Sequence, residues 1–282
     1  MGSSDPTVKL FPPRSSGSCD LVRIATVGLE TCHKVCRLLP GTQDRLSLAG
    51  LDPMESYITR GHITSAGDMV ERGASTAIWE VLIREGREVL TSDELVKMAR
   101  RLGARPESAL RHLRREGYLL PLFRGYYYIR TAEELRLHTE RYDPLELFAL
   151  AARAKGIGDW YFGLSTALRL NGLTHEDRRE ESVVSRAFYR IHGVPIGSRR
   201  FVIHKWGAPL FGFGLLRRGS YRLSDPEKTV LDLAYLDYWA EMKKRGTNRV
   251  WLEHLGSVET RKLRDYLKHY PPRVKEMVEE RL

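Results

Sequence analysis

Three glycines, Gly86, Gly103 and Gly117, cut residues 76–117 into short segments, and no other feature constrains the fold as strongly. Each segment carries apolar residues at helical spacing and stops where a C-terminal glycine would stop it. In "TAIWEVLIREG", Ile78, Trp79, Leu82 and Ile83 share one stripe. "TSDELVKMARRLG" opens with Thr91 and Glu94 in capping-box spacing and puts Leu95, Met98, Ala99 and Leu102 on one face. "RPESALRHLRREG" has Pro106 in its first turn and turns Ala109, Leu110 and Leu113 inward. The run "YLLPLFRGYYYIR" that follows is two β-prone stretches around Arg124-Gly125, the pattern of a tight two-stranded ribbon. Three short helices and a hairpin in this order predict a winged helix-turn-helix over residues 73–131.

The third segment decides what such a module would do. With its apolar face committed to a core, Ser108, Arg111, His112 and Arg115 fall on the opposite side as one outward stripe. A helix in the major groove needs long cationic forks for guanine edges and phosphates, and a small hydroxyl where the backbone comes close. Between residues 100 and 124 there are seven arginines against two glutamates, a net +5 out of the +10 carried by the whole chain. Arg124 sits at the hairpin tip, where a wing meets the duplex. Strand alternation sends Tyr127 opposite to Tyr126 and Tyr128, so at least one of these rings packs on the third helix. The expected DNA contacts are Arg105, Ser108, Arg111, His112, Arg114, Arg115, Arg124 and Tyr126. A solvated arginine face is the competing reading.

Residues 1–72 have no sustained apolar period and are rich in Ser, Gly, Pro and Thr, so little packed structure is expected there. Regular patterning begins just after Met69, as it would if translation started at that methionine. Cys19, Cys32 and Cys36 all lie in this stretch, and Cys32, His33 and Cys36 have no second ligand pair nearby, so no zinc site is expected. No cofactor is implied either. The chain has no run of 18 apolar residues and no signal-peptide pattern at its start, which makes a cytoplasmic protein the expectation.

Residues 132–282 predict an α/β domain, a small mixed sheet flanked by helices, and thus an α+β protein overall. Asp143-Pro144 is a helix start. Ser165 is expected to cap a helix that stops at Asn171-Gly172. "SVVSRAFYRI", "RRFVIHKW" and "FGFGLLRRGSYRLS" have the character of strands, and "SDPEKTVLDLAYLDYW" of a helix capped by Ser224. Asp232, between two leucines, is expected to be a buried ion-pair partner, to an arginine of the sheet. Arg199, Arg200, Lys205, Arg217 and Arg218 are either a second phosphate-binding surface or a charged edge that discourages strand pairing. Enzyme chemistry finds little support. Glu241-Met242-Lys243 with Asp232 or Asp237 has the letters of a metal-dependent nuclease but falls on a helix, "GLSTA" lacks the second glycine of a nucleophile elbow, and the histidines have no metal spacing. No catalysis is expected.

The hairpin "LLPLFRGYYYI", with "YFGLSTALRLNGLT" and above all "YRLSDPEKTVLDL", resembles the AbiEi-type antitoxins of type IV toxin–antitoxin systems, over roughly residues 75–240. That resemblance implies a transcriptional regulator of viral defence. Its N-terminal domain would bind inverted repeats in its own promoter, and its C-terminal domain would counter a nucleotidyltransferase-like toxin; two-fold symmetric sites on double-stranded DNA in turn imply a homodimer there. The long stretch before residue 73 departs from the family pattern. A nucleic-acid-processing enzyme targeted by a winged helix, and a protein-bridging winged helix, remain the alternatives. Protein made from the native gene is expected to have the intact mass of a chain beginning at Met69; a mass matching all 282 residues would reject that start.

Overall fold

The computed structural model describes residues 66–282, all within one compact unit. The expectations for residues 1–65, including the three cysteines, lie outside the described residues. Helix α1 spans Ala66–Arg84, ten residues more at its start than the apolar stripe from Thr76 indicates. Strand β1 (Val89–Thr91) follows, then α2 (Ser92–Arg101), α3 (Pro106–Arg115), β2 (Leu119–Pro121) and β3 (Tyr126–Ile129). Thr91 caps α2 through a reciprocal box with Glu94, as its spacing predicts, and Pro106 is in the first turn of α3. Ile78, Leu82, Leu95, Ala99, Ala109 and Leu113 make one buried cluster under these helices. Leu102 is not part of it; it is 46% exposed, because α2 ends at Arg101 and the chain turns away before another turn can form.

Strand β1 is too short to stand out in the sequence, yet it pairs with β3 and makes the hairpin a three-stranded antiparallel sheet of order β1-β3-β2. The central strand divides its side chains between two cores. Tyr127 and Ile129 pack with the helical cluster. Tyr128 and the half-buried Tyr126 face a second cluster that includes Leu147, Phe148, Phe162 and Phe201, and so crosses the domain boundary expected at 131/132.

After α4 (Ala132–Leu137), helix α5 (Pro144–Ala154) starts at Asp143, which accepts from the Glu146 amide at 2.8 Å. The remaining elements are β4 (Trp160–Phe162), α6 (Leu164–Leu170), β5 (Glu180–Ser185), β6 (Arg190–Ile196), β7 (Arg199–Lys205), β8 (Leu215–Arg218), β9 (Tyr221–Ser224), α7 (Pro226–Met242), α8 (Trp251–His254), α9 (Thr260–Leu267) and α10 (Pro272–Glu279). The six strands form a mixed sheet of order β6-β7-β5-β4-β9-β8. Trp160 and Phe162 of β4 face α5, whereas Tyr161 faces α7, α9 and α10, so helices cover both sides. The mixed sheet flanked by helices is as expected. No helix among the described residues is long and apolar enough to cross a membrane.

Two caps differ from expectation. Gly163, not Ser165, precedes α6, and the Ser165 hydroxyl instead lies 2.9 Å from that of Ser182. Ser224 is used up as the last residue of β9, and Asp225 caps α7 by accepting from the Lys228 amide at 2.9 Å. One turn into α7, Lys228 is wholly buried and donates to Asp232 at 3.1 Å. Asp232 also accepts from the hydroxyls of Tyr161 at 2.9 Å and Tyr270 at 2.6 Å. Its partner is therefore a lysine on its own helix, not an arginine of the sheet. Burial pushes the Asp232 carboxyl up, and Lys228 and the two hydroxyls pull it back. The Lys228 ammonium also lies 4.4 Å from the centre of the Phe213 ring. Gly214 has φ +59°, and a Cβ there would come within 2.8 Å of Lys228 Cβ, so only glycine lets the chain pass this close.

Removing one member of a buried pair leaves an uncompensated charge, whereas replacing both with apolar groups does not. Asp232→Ala is expected to cost about 3–5 kcal/mol in denaturant unfolding, and Lys228→Met combined with Asp232→Leu to recover most of that loss. A single-variant loss under about 1 kcal/mol would show that the pair is not held as described.

Candidate nucleic-acid interface

Helix α3 packs on α1, α2 and β2, and this packing fixes which of its residues reach solvent. Ala109 and Leu113 are fully buried. At about 100° per residue, Arg111 lies roughly opposite that pair, with Arg115 about 40° to one side and Arg114 about 60° to the other. All three are exposed, as is Arg105 at the N-cap. Ser108 and His112 lie further round and are half-buried. The outward face is thus centred on Arg111, and the stripe read from the sequence is centred to one side of it. Glu107 is also exposed in the first turn.

His112 is not an outward cation. Its side chain is only 13% exposed, 3.7 Å from Glu116. The Arg115 guanidinium lies 3.0 Å from His112 Nδ1, and since a guanidinium can only donate, that nitrogen must be unprotonated. Burial holds the imidazole below its ordinary value; Glu116 opposes this, and Arg115 and Arg72 add to it. Arg115 is further tied to Glu116 at 3.0 Å. Arg111, Arg114 and Arg124 have no ion pair among the described residues.

Arg124 is exposed at the tip of the β2–β3 hairpin, but the tip is anchored. The Ser92 amide donates to the Gly125 carbonyl at 2.9 Å. The neighbouring Phe123 ring, 6% exposed, packs edge-on against Phe148 at 5.4 Å and Phe188 at 6.1 Å. Lys155, at the end of α5, lies 5.6 Å from the Phe123 ring centre, which puts a cation close to the tip that sequence reasoning missed. Tyr126 packs against the second core, with its body half-buried.

The basic residues of the second half do not form one surface. Arg199 is spent on Asp177, at 2.6 and 3.0 Å, with Glu181 at 3.7 Å. Arg200 donates to the His192 carbonyl at 3.0 Å. Arg217 and Arg218 lie on the edge strand β8, four strands away from β7. A cleft of about 490 Å³ beside α6 is lined by Thr166, Arg169, Glu181 and His204. Two of its charges are satisfied by each other: Glu181 accepts from Thr166 at 2.7 Å and from Arg169 at 2.6 Å. Burial pushes His204 down to about 4, leaving it neutral. Glu241 and Lys243 lie at the end of α7, away from the buried Asp232, and no group of three His, Cys, Asp or Glu side chains is placed to hold a metal among the described residues.

No protein-family model and no curated protein matches this chain. Among solved structures, the RV2827C protein from Mycobacterium tuberculosis is similar, with 17% sequence identity, coverage of 71% of this chain and 72% of that one, and a TM-score of 0.47.

In an NMR titration the His112 ring is expected to protonate below 6.5, the ordinary histidine value. A value above 6.5 would mean that the Glu116 contact outweighs burial and that His112 joins the arginines as a cation near neutral pH.

Proposed function

We propose that this chain is a DNA-binding transcriptional regulator of the cytoplasm, in which residues 73–131 act as a winged helix-turn-helix. In this reading α3 lies in the major groove, Arg111 reads a base edge, Arg105, Arg114 and Arg115 contact phosphates, and the β2–β3 hairpin is the wing, with Arg124 on the adjacent backbone. The observation that carries it is the exposure of Arg111 and Arg114, neither in an ion pair among the described residues, on a helix whose opposite face is buried, together with an anchored hairpin tip that presents Arg124. Planar guanidiniums held on one helix face suit phosphate and guanine recognition, because their donors match paired oxygens and the O6/N7 edge of guanine.

The likeness of "YRLSDPEKTVLDL" to AbiEi-type antitoxins extends the proposal. The chain represses its own promoter, pairing on inverted repeats, and residues 132–282 counter a nucleotidyltransferase-like toxin without catalysis of their own. The Ser224, Asp225 and Lys228 positions of that motif do structural work at the start of α7, so the motif supports the kinship and not a chemistry.

Arg111→Ala is expected to weaken operator binding by about 1–3 kcal/mol and to relax sequence choice. Arg124→Ala should weaken all sequences alike and lower the slope of log K against log salt by about one. Equal losses on operator and random DNA for Arg111→Ala would remove α3 from base recognition. Co-expression tests the second half: growth arrested by a nucleotidyltransferase-like toxin encoded beside this gene should recover with the intact chain, and continued arrest would refute the antitoxin reading.

A further inference from the structure

Strands β8 and β9 set two arginines face to face. Arg217 and Arg222 are register partners in this antiparallel pair, so their side chains leave the same face of the sheet. Arg218 goes to the other face, where it donates to the Leu170 carbonyl at 3.5 Å. Like charges directly opposite one another destabilise a sheet. Elsewhere in this half the cost is met with acid, since Arg169 and Arg199 both have carboxylates within 3 Å. Neither Arg217 nor Arg222 has an ion pair among the described residues. Arg222 is held by a backbone oxygen alone, donating to Gly158 at 2.8 Å.

A third arginine lines the same cleft as these two. Arg153, from the last turn of α5, lines the same cleft of about 600 Å³ as Arg217 and Arg222, and no Asp or Glu contributes to its wall. Arg153 has one acidic neighbour, Glu88 at 3.7 Å, with both side chains open to solvent at 72% and 37%. An ion pair this open to solvent contributes little and leaves the Arg153 charge largely available. Protection of a sheet edge explains Arg217 and Arg218 on the outer strand β8. It does not explain Arg222, on the interior strand β9, or Arg153, on a helix.

We propose that Arg153, Arg217 and Arg222 form a binding site for a phosphate group, in which the bound anion takes the place of the missing carboxylate. Planar guanidiniums arriving from a sheet and from a helix suit tetrahedral oxygens on more than one side. Ser220 adds a hydroxyl to the rim, and Trp160 and Tyr221 give the cleft an apolar wall for whatever the phosphate is attached to. The phosphate belongs either to a small phosphoester such as a mononucleotide or to a nucleic-acid backbone; the recognition chemistry is common to both.

Titration of the full chain with inorganic phosphate and with a mononucleotide, at matched ionic strength, separates these sources when paired with duplex binding over a salt series. The informative variants are Arg217→Gln and Arg153→Gln. Both side chains are exposed and leave the Arg222–Gly158 bond in place, and thermal melting confirms that each variant folds. For a small phosphoester, saturable binding to the wild-type chain weakens by roughly tenfold or more in each variant. Phosphate then also raises the melting temperature of the wild type and not of the variants. For a nucleic-acid backbone the small anions show no saturation, and each variant lowers the salt slope for random duplex by about one. Binding of both kinds left unchanged by both variants, or absent altogether, overturns the site. Arg111 is intact throughout, so this failure is distinct from failure of the α3 reading.

Discussion

Strand β3 belongs to two cores at once, and the rest of the structure is arranged around that division. Its central position in the small sheet leaves no free edge, and its alternation sends Tyr127 and Ile129 into the helical cluster and Tyr128 into the larger one. Tyr128 adds a polar lock. Its buried hydroxyl donates to Glu134 at 2.7 Å, and Glu134 also accepts from the amides of Thr131 and Arg141 at 2.7 Å each. These bonds overcome burial and hold the Glu134 carboxyl below its usual range, while burial and the Glu134 charge push the Tyr128 hydroxyl up, so that it remains a donor. The helical module therefore cannot swing free of the large sheet without exposing one aromatic face or the other. The orientation of α3 is inherited from this seam.

Charge is distributed by the same geometry. In the large half, several arginines that approach the sheet are matched with acid, as Arg169 is with Glu181 and Arg199 with Asp177. Lys228 and Asp232 carry the matching into the buried first two turns of α7, where two tyrosine hydroxyls complete the shell. Cations without such partners among the described residues gather in two places, Arg111 and Arg114 on α3 with Arg124 at the hairpin tip, and Arg217 and Arg222 in the cleft that the weakly paired Arg153 also lines. Long-range attraction of polyanions follows from unmatched charge rather than from total charge, and for that reason the proposals rest on these two places and not on the +10 of the chain.

Much of the fold was legible because its signals are local. A capping box depends on residues three apart, and Thr91/Glu94 forms as its spacing requires, while Asp143 caps the helix that Pro144 begins. Alternation within "YYYI" correctly separates Tyr127 from its neighbours. Failures occurred where a local signal met a non-local claim on the same residue. Ser224 has the chemistry of a cap, but pairing of β9 keeps it in the sheet and hands the role to Asp225. Strands β1 and β4, three residues each, exist because neighbours accept them, and no period can be read from so short a run. Around α3 the error was angular: His112 sits at helical spacing from Ser108, but packing against α1 and α2 turns that side inward and centres the open face on Arg111.

The sequence by itself determined the order of elements, the apolar face of each helix, and the concentration of arginine between residues 100 and 124, because each of these depends only on side chains close together along the chain. Tertiary structure alone decided which charges are matched. Lys228 finds Asp232 on its own helix, but the hydroxyls that complete the Asp232 shell come from β4 and from Tyr270, and Arg153 lines one cleft with Arg217 and Arg222 from dozens of residues away. Coulomb energy depends on distance and burial in space, and neither is encoded in the spacing of letters.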